Sequence, residues 1–449
     1  MRVRAHVRNG YVGLAVVVVL AAVTRLYKLG SFPYFPPQWP WLGDASQAAC
    51  PPGMSGIWPG LYRDEMSRLC EVAMFPHSLT TYEPSFNILF IKASQLLLGL
   101  NYFAYRFPTA AASILTAVAV YLAARELFGG RGPPLVAGLY FVAMVPAIIY
   151  GRMIYYENTV GLLLAVVIFC IARYENGKGR KWLFFAAIGA ALAPFAKVDG
   201  GFVPLFFTIW ALEGKGRRGK VVPLILAWGP IAIAGGVILE LVGTFQGVLQ
   251  QWYFGVVGRE LSYQFLFLQT MPSGYVTLDT GYLKPDFWYV FGFVCLAVLV
   301  VNRSKAGKLL AEAVLSFVGV FILSFGISPY YLIMLFPVFA LAVGGGVGAL
   351  SRSGGAAGAG LYALLYGPLV VSYIGSTTLP YIGANYPLFF LKVLLFFAPA
   401  AAWLALDGAS MLKTKKHFPL AVVVLVFFFA LLILGTPEIY SYYFLGRAP

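Results

Sequence analysis

Asp64-Glu65 is the only adjacent pair of carboxylates in a chain with 17 Asp and Glu among its 449 residues, and it lies in a long polar stretch after the first apolar segment. A carboxylate so placed can take a proton from a hydroxyl whose oxygen is forming a new bond. Glu65 reads equally well as a solvated helix start in an outer loop; Asp64 reads as chemistry. Two more acids, Glu83 and Glu157, stand near the ends of apolar runs, as do Arg152 and Lys197, while Arg259 lies in a second polar stretch and Tyr330-Tyr331 open a late apolar run. Cations fixed at such points can meet an anion that develops as a bond breaks. They can also simply snorkel toward an interface, the commoner fate of span-end Lys and Arg.

The elements that must position these residues belong in a bilayer. The chain is 60% hydrophobic and 11% charged, with a mean hydropathy of +0.80, too apolar for a water-soluble core and surface. Apolar runs recur at 11–27, 107–127, 135–150, 159–174, 221–242, 287–301, 309–325, 330–350, 388–406 and 418–434, with shorter pieces between. The expectation is an all-α polytopic membrane protein with about thirteen spans, forming one domain over 1–449. Arg2, Arg4 and Arg8 precede the first run, which reads as an uncleaved anchor rather than a signal peptide.

With the amino terminus inside, the basic clusters 125–131, 173–181, 215–220, 303–308, Arg352 and 413–416 all fall on the cytoplasmic side, provided 84–100 does not cross the membrane. That segment is therefore expected to be an amphipathic helix on the outer surface, with Lys92 and Gln95 on its polar side. Two large outer loops follow, 28–105 and 244–286. The whole formal excess of +15 then lies in the cytoplasmic loops. It speaks for membrane orientation and anionic lipid as partner, and nucleic-acid binding need not be invoked. Cys50 and Cys70 share the first outer loop, where a disulfide is expected; Cys170 and Cys295 sit in apolar runs as packing residues.

The order of motifs resembles a known family. Tyr62-Arg63-Asp64-Glu65-Met66-Ser67-Arg68 is followed by Glu83-Pro84, by Leu98-Gly99-Leu100-Asn101, and by Arg106-Phe107-Pro108 entering a span that ends Arg125-Glu126-Leu127-Phe128-Gly129. Arg152-Met153-Ile154-Tyr155-Tyr156-Glu157, Ala196-Lys197-Val198-Asp199-Gly200 and Ser328-Pro329-Tyr330-Tyr331-Leu332 come later. This series resembles the GT-C membrane glycosyltransferases, in particular the protein O-mannosyltransferase and lipid A aminoarabinose transferase group. It departs from the group's pattern in having Glu157 where an Asp is usual and two extra residues between Lys197 and Gly200. The resemblance covers the first 210 residues or so and the stretch around Tyr330.

It implies transfer of a sugar from a polyprenyl (dolichyl) phosphate to a hydroxyl of a protein, lipid or glycan, outside the cytoplasm and with inversion. Asp64 would be the general base, and Lys197, Arg152 and Arg259 would stabilise the phosphate leaving group. Glu157 would hold those cations or the sugar hydroxyls, and Glu65, Glu83, Tyr330 and Tyr331 would line the pocket. No cofactor is called for with certainty. A divalent cation is compatible, with Asp64, Glu83, Glu157 and His77 as available ligands. No Asp-x-Asp, Walker or GxGxxG pattern stands in a nucleotide-binding context, so a sugar nucleotide is a poor direct donor. The strongest rival from another class is a multi-span secondary transporter or lipid flippase.

Overall fold

The computed structural model describes residues 2–30, 65, 68–69, 72–73, 85–213, 217–241, 287–323 and 329–353. Asp64, Glu83, Arg259, Cys50, Cys70, His77, the 244–286 loop, and the apolar runs 388–406 and 418–434 lie outside these residues, as does the side chain of Tyr330.

Among the described residues every regular element is helical. The helices are α1 (Arg2–Leu26), α2 (Asn87–Leu98), α3 (Tyr102–Phe128), α4 (Gly132–Ala143), α5 (Val145–Tyr150), α6 (Glu157–Glu175), α7 (Lys181–Ala196), α8 (Phe202–Leu212), α9 (Arg217–Leu241), α10 (Phe287–Val301), α11 (Lys305–Leu323) and α12 (Phe336–Ser353). Short 3-10 turns at Val198–Gly201 and Pro329–Leu335 lead into α8 and α12. Four of the described helical stretches are long and apolar enough to cross a membrane: Tyr102–Phe128, Glu157–Glu175, Gly219–Val237 and Tyr331–Ala349.

The core is a sheaf in which α3 packs on α6, α6 on α7, α4 on α12 and α12 on α10. Small residues let these helices approach closely. A Cβ on Gly344 would stand 2.6 Å from the carbonyl oxygen of Pro133 at the head of α4, and one on Gly346 would stand 2.8 Å from the Cβ of Cys295 on α10. The glycine run of α12 is thus pressed between two neighbours, as small residues are in membrane helix contacts. Cys170 and Cys295 are free and buried in this core, in keeping with their reading as packing residues.

The run 135–150, expected as one span, is broken at Met144, whose backbone is extended. Pro146 has no N–H to reach Val142 O, so that carbonyl loses its helical partner. The fully buried Arg25 of α1 supplies replacements: its Nη1 donates to Val142 O at 2.9 Å and its Nη2 to Phe141 O at 3.0 Å.

The segment expected at 84–100 is a helix of only 12 residues, α2, about 18 Å long and too short to cross a hydrocarbon core of about 30 Å. Its polarity departs from the expected one at Gln95, while Lys92 is half-buried. Gln95 is not on a solvated side but buried against the protein with Asn87, Ile88, Ile91 and Ser94. The outward face carries Leu89, Phe90, Leu96, Leu97 and Leu98. The physical reason is that α2 has hydrogen-bond partners inside, such as Ala104 O for Ser94 Oγ at 2.6 Å.

Directions follow from the ends. Asn176, just past α6, donates to Glu126 O near the end of α3 at 2.9 Å, so α3 and α6 run parallel. Their starts, with Arg106 and Glu157, therefore share one end of the sheaf. The other end gathers Arg173 on Glu126, Lys220 on Glu175 and Lys308 on Glu213.

Candidate active site

At the shared end lie two buried ion pairs, the first built from helix termini. Glu157 lies in the first turn of α6, and Lys197 caps the C-terminal end of the antiparallel α7. Each charge is on the helix end whose dipole favours it, an anion at an N-terminus and a cation at a C-terminus. Lys197 Nζ reaches Glu157 Oε1 at 2.6 Å, and both side chains are about 2% exposed. Asp199 Oδ2 is 3.7 Å from the same ammonium, and the Tyr331 ring centroid is 4.9 Å away. One lysine is thus surrounded by two carboxylates and an aromatic face.

Local geometry aims that lysine. Its backbone is extended (φ −161°, ψ 142°), its N–H still bonded to Ala193 O at 3.2 Å, and its own carbonyl takes Gly200 N at 2.8 Å. A Cβ at Gly200 would lie 2.3 Å from Ala193 O. The sequence feature read as a Lys-Gly turn with two inserted residues is therefore a 3-10 turn, and one inserted residue, Asp199, joins the site.

The second pair is Glu65 with Arg106. Nε donates to Oε1 and Nη2 to Oε2, both at 2.9 Å, in the bidentate fork that suits guanidinium and carboxylate. Glu65 is wholly buried, which corrects its reading as a solvated helix start. Burial is made tolerable by a third bond, Ile154 N–H to Oε1 at 3.2 Å. Arg68 lies over the Tyr156 ring at 4.6 Å. Leu69, Val72, Ile88, Ile91, Tyr105, Ile154 and Tyr156 form the apolar cluster beneath.

Residues 152–157 link the two pairs: the backbone at 154 holds Glu65 and the side chain at 157 holds Lys197. The two positions are three residues apart, no more than about 11 Å along the chain. The linker is itself fixed. Arg152 Nη1 and Nη2 donate to Thr24 O (2.9 Å) and Tyr27 O (2.6 Å), carbonyls at the end of α1, and Asn158 Nδ2 donates to Tyr150 O at 2.9 Å. Arg152 thus reaches the end of α1.

Of the residues singled out in the sequence, Glu157, Lys197 and Tyr331 come together, Glu65 and Arg152 frame them, and Asp64 is the covalent neighbour of Glu65. Arg106 and Asp199 gain roles the sequence had not assigned. Arg106 was visible as the first residue of Arg106-Phe107-Pro108, and Asp199 inside the inserted pair. Among the described residues no group of three or more His, Cys, Asp or Glu is arranged to hold a metal ion.

This end of the molecule and the helical sheaf behind it are all-α, with four described helical stretches long and apolar enough to cross a membrane, and the chain is similar to membrane glycosyltransferases. Residues 83–238 match the family model for dolichyl-phosphate-mannose-protein mannosyltransferase. The chain resembles the undecaprenyl phosphate-alpha-4-amino-4-deoxy-L-arabinose arabinosyl transferase of Yersinia enterocolitica, with 26% identity over 213 residues, 47% of this chain and 36% of that protein. The enzyme of the same name from Aeromonas salmonicida is 26% identical over 214 residues, 47% of this chain and 37% of that protein. The matches thus span little more than a third of these relatives' length. The crystal structure of ArnT from Cupriavidus metallidurans bound to undecaprenyl phosphate superposes with a TM-score of 0.58 at 14% identity, covering 97% of this chain and 77% of that one. Its apo form gives 0.56 at 15% identity, covering 99% and 78%. The likeness of fold therefore extends well beyond the 210 residues that carry the motif resemblance.

Proposed function

We propose that the protein transfers a sugar from a polyprenyl phosphate to an acceptor hydroxyl at the extracytoplasmic face of the membrane, inverting the anomeric centre. The observation that carries this reading is Lys197, a buried ammonium held at a helix terminus by Glu157 beside the Arg106–Glu65 pair. A displacement that releases a phosphate needs such a fixed cation to meet the charge that develops.

In the proposed step the acceptor oxygen attacks the anomeric carbon as its bond to the phosphate oxygen breaks. The electron pair of that bond goes to the phosphate, and the acceptor proton goes to Asp64. Lys197 meets the growing phosphate charge, since a preorganised cation in a partly dry site is worth several kcal/mol to such a transition state. Glu157 and Asp199 hold the ammonium until the donor arrives. Arg152 supports the site from the end of α1, and Arg259 of the second loop supplies a further cation. Glu83, Glu65, Tyr330 and Tyr331 shape the pocket. The acceptor is a protein, lipid or glycan, and the named relatives make undecaprenyl-phosphate-linked aminoarabinose a natural first donor to try.

The test is transfer by purified protein from polyprenyl-phosphate sugars, following polyprenyl phosphate release, with Asp64→Asn and Lys197→Ala beside the native chain. Native activity that falls about a hundredfold or more in both variants is expected. A folded Asp64→Asn with native activity removes the base assignment, and flux into proteoliposomes with no covalent product replaces the transferase by a transporter or flippase.

A further inference from the structure

A helix leaves its last carbonyls without partners inside the helix, and at the end of α7 these carbonyls directly precede Lys197. Phe195 O takes the N–H of Phe86 at 3.1 Å. Ala196 O takes two side-chain donors, Ser85 Oγ at 2.5 Å and Asn87 Nδ2 at 3.0 Å. Asn87 Nδ2 also reaches Ser85 Oγ at 2.8 Å, and Asn87 Oδ1 accepts from Thr159 Oγ1 of α6 at 2.7 Å. Ser85 and Asn87 are 1% and 6% exposed, so these bonds are not shared with bulk water.

The amide is used at both ends, and its two partners sit beside the two halves of the ion pair. Ala196 immediately precedes Lys197, and Thr159 is two residues after Glu157. Asn87 thus bridges the backbone that carries the ammonium and the helix that carries its carboxylate. It does so from the first turn of α2, whose other face is apolar and outward. Neither an aliphatic side chain nor a carboxylate makes both bonds, because only the amide donates to Ala196 O alongside Ser85 and also accepts from Thr159 Oγ1.

We propose that Asn87 is a positioning residue, setting the placement of Lys197 relative to Glu157 for the donor phosphate, and that Thr159 fixes the orientation of its amide. This rests on the transferase reading. A displacement of a catalytic cation by about 1 Å costs on the order of a hundredfold in rate, so the clamp should act on turnover more than on folding.

The experiment compares native protein with Asn87→Ala, Asn87→Asp, Thr159→Val and Thr159→Ser in lipid nanodiscs, reading Tm, kcat and KM for a polyprenyl-phosphate sugar. Expected are kcat losses of about ten- to a hundredfold in folded Asn87→Ala, Asn87→Asp and Thr159→Val, with a lower Tm where a buried partner is stranded, and recovery of both in Thr159→Ser, which keeps the hydroxyl. A second arm needs no donor: acylation of Lys197 by a water-soluble amine reagent, followed by mass spectrometry, should be several-fold faster in Asn87→Ala and Thr159→Val than in native protein and Thr159→Ser. Native kcat in a folded Asn87→Ala, or a Thr159→Ser as impaired as Thr159→Val, overturns the proposal, as does unchanged Lys197 acylation in Asn87→Ala. Native protein that transfers no sugar while the acylation difference persists overturns the transferase reading and leaves the clamp standing as a clamp.

Discussion

The two ion pairs differ in what their loss should do. Arg106 is buried and forked onto Glu65, so Glu65→Ala leaves a guanidinium without its counter-charge in a dry place, at a cost of about 3–5 kcal/mol. A lowered Tm and poor recovery from detergent are expected; a stable Glu65→Ala would show that water enters the site. For Lys197, replacement by Met keeps the aliphatic volume but strands Glu157, so Lys197→Met should lose transfer and some stability. The double variant Lys197→Met/Glu157→Gln should regain stability while staying inactive, a separation readable by Tm beside turnover. Legibility at this scale followed charge. Lys197, Glu157 and Glu65 drew notice because charge is scarce in so apolar a chain. Asn87, Ser85 and Thr159 are ordinary polar residues whose role depends on α7 ending beside them, a long-range contact that no local pattern encodes. The solvated reading of Glu65 failed because a carboxylate in a polar loop gives no hint of the Arg106 that meets it 41 positions later.

Among the elements, the helices themselves were written plainly by unbroken apolar runs between glycines, prolines and basic clusters. What the runs concealed was interruption. Pro146 breaks 135–150 into α4 and α5, and Arg25 satisfies the carbonyls so freed. Arg25→Leu should therefore leave two buried acceptors bare and cost about 2–6 kcal/mol, at about 1–3 kcal/mol for each stranded group. Equilibrium unfolding or a shift of Tm would measure it. Gly344→Leu should disturb the α4–α12 contact more sharply than Gly319→Leu does in α11, where an added Cβ meets nothing within 4 Å. The amphipathic pattern of α2 misled for a simple reason. A short helix with a polar stripe is normally assumed to offer that stripe to water, but here Ser94, Gln95 and Asn87 face the protein and the leucines face out.

For the whole molecule, the parallel α3 and α6 fix two opposite ends, one with Lys197 and Glu157, the other with Arg173, Lys220 and Lys308. The orientation proposed from the positive-inside bias puts the second end in the cytoplasm. Single cysteines introduced at Asn176 and at Leu100, in a background without native cysteines, should be labelled from opposite sides of a sealed vesicle, and labelling from one side would reverse the proposed orientation. The greasy outward face of α2 carries one more consequence. Such a helix rests where acyl chains give way to headgroups, and hydrogen bonds from its first turn and from Ser85 run to the residue just before Lys197. On the transferase proposal, the depth of that ammonium is moored to the plane in which a polyprenyl phosphate keeps its own anionic group, so that lipid would meet its cation by lateral diffusion alone, with no vertical travel out of the leaflet.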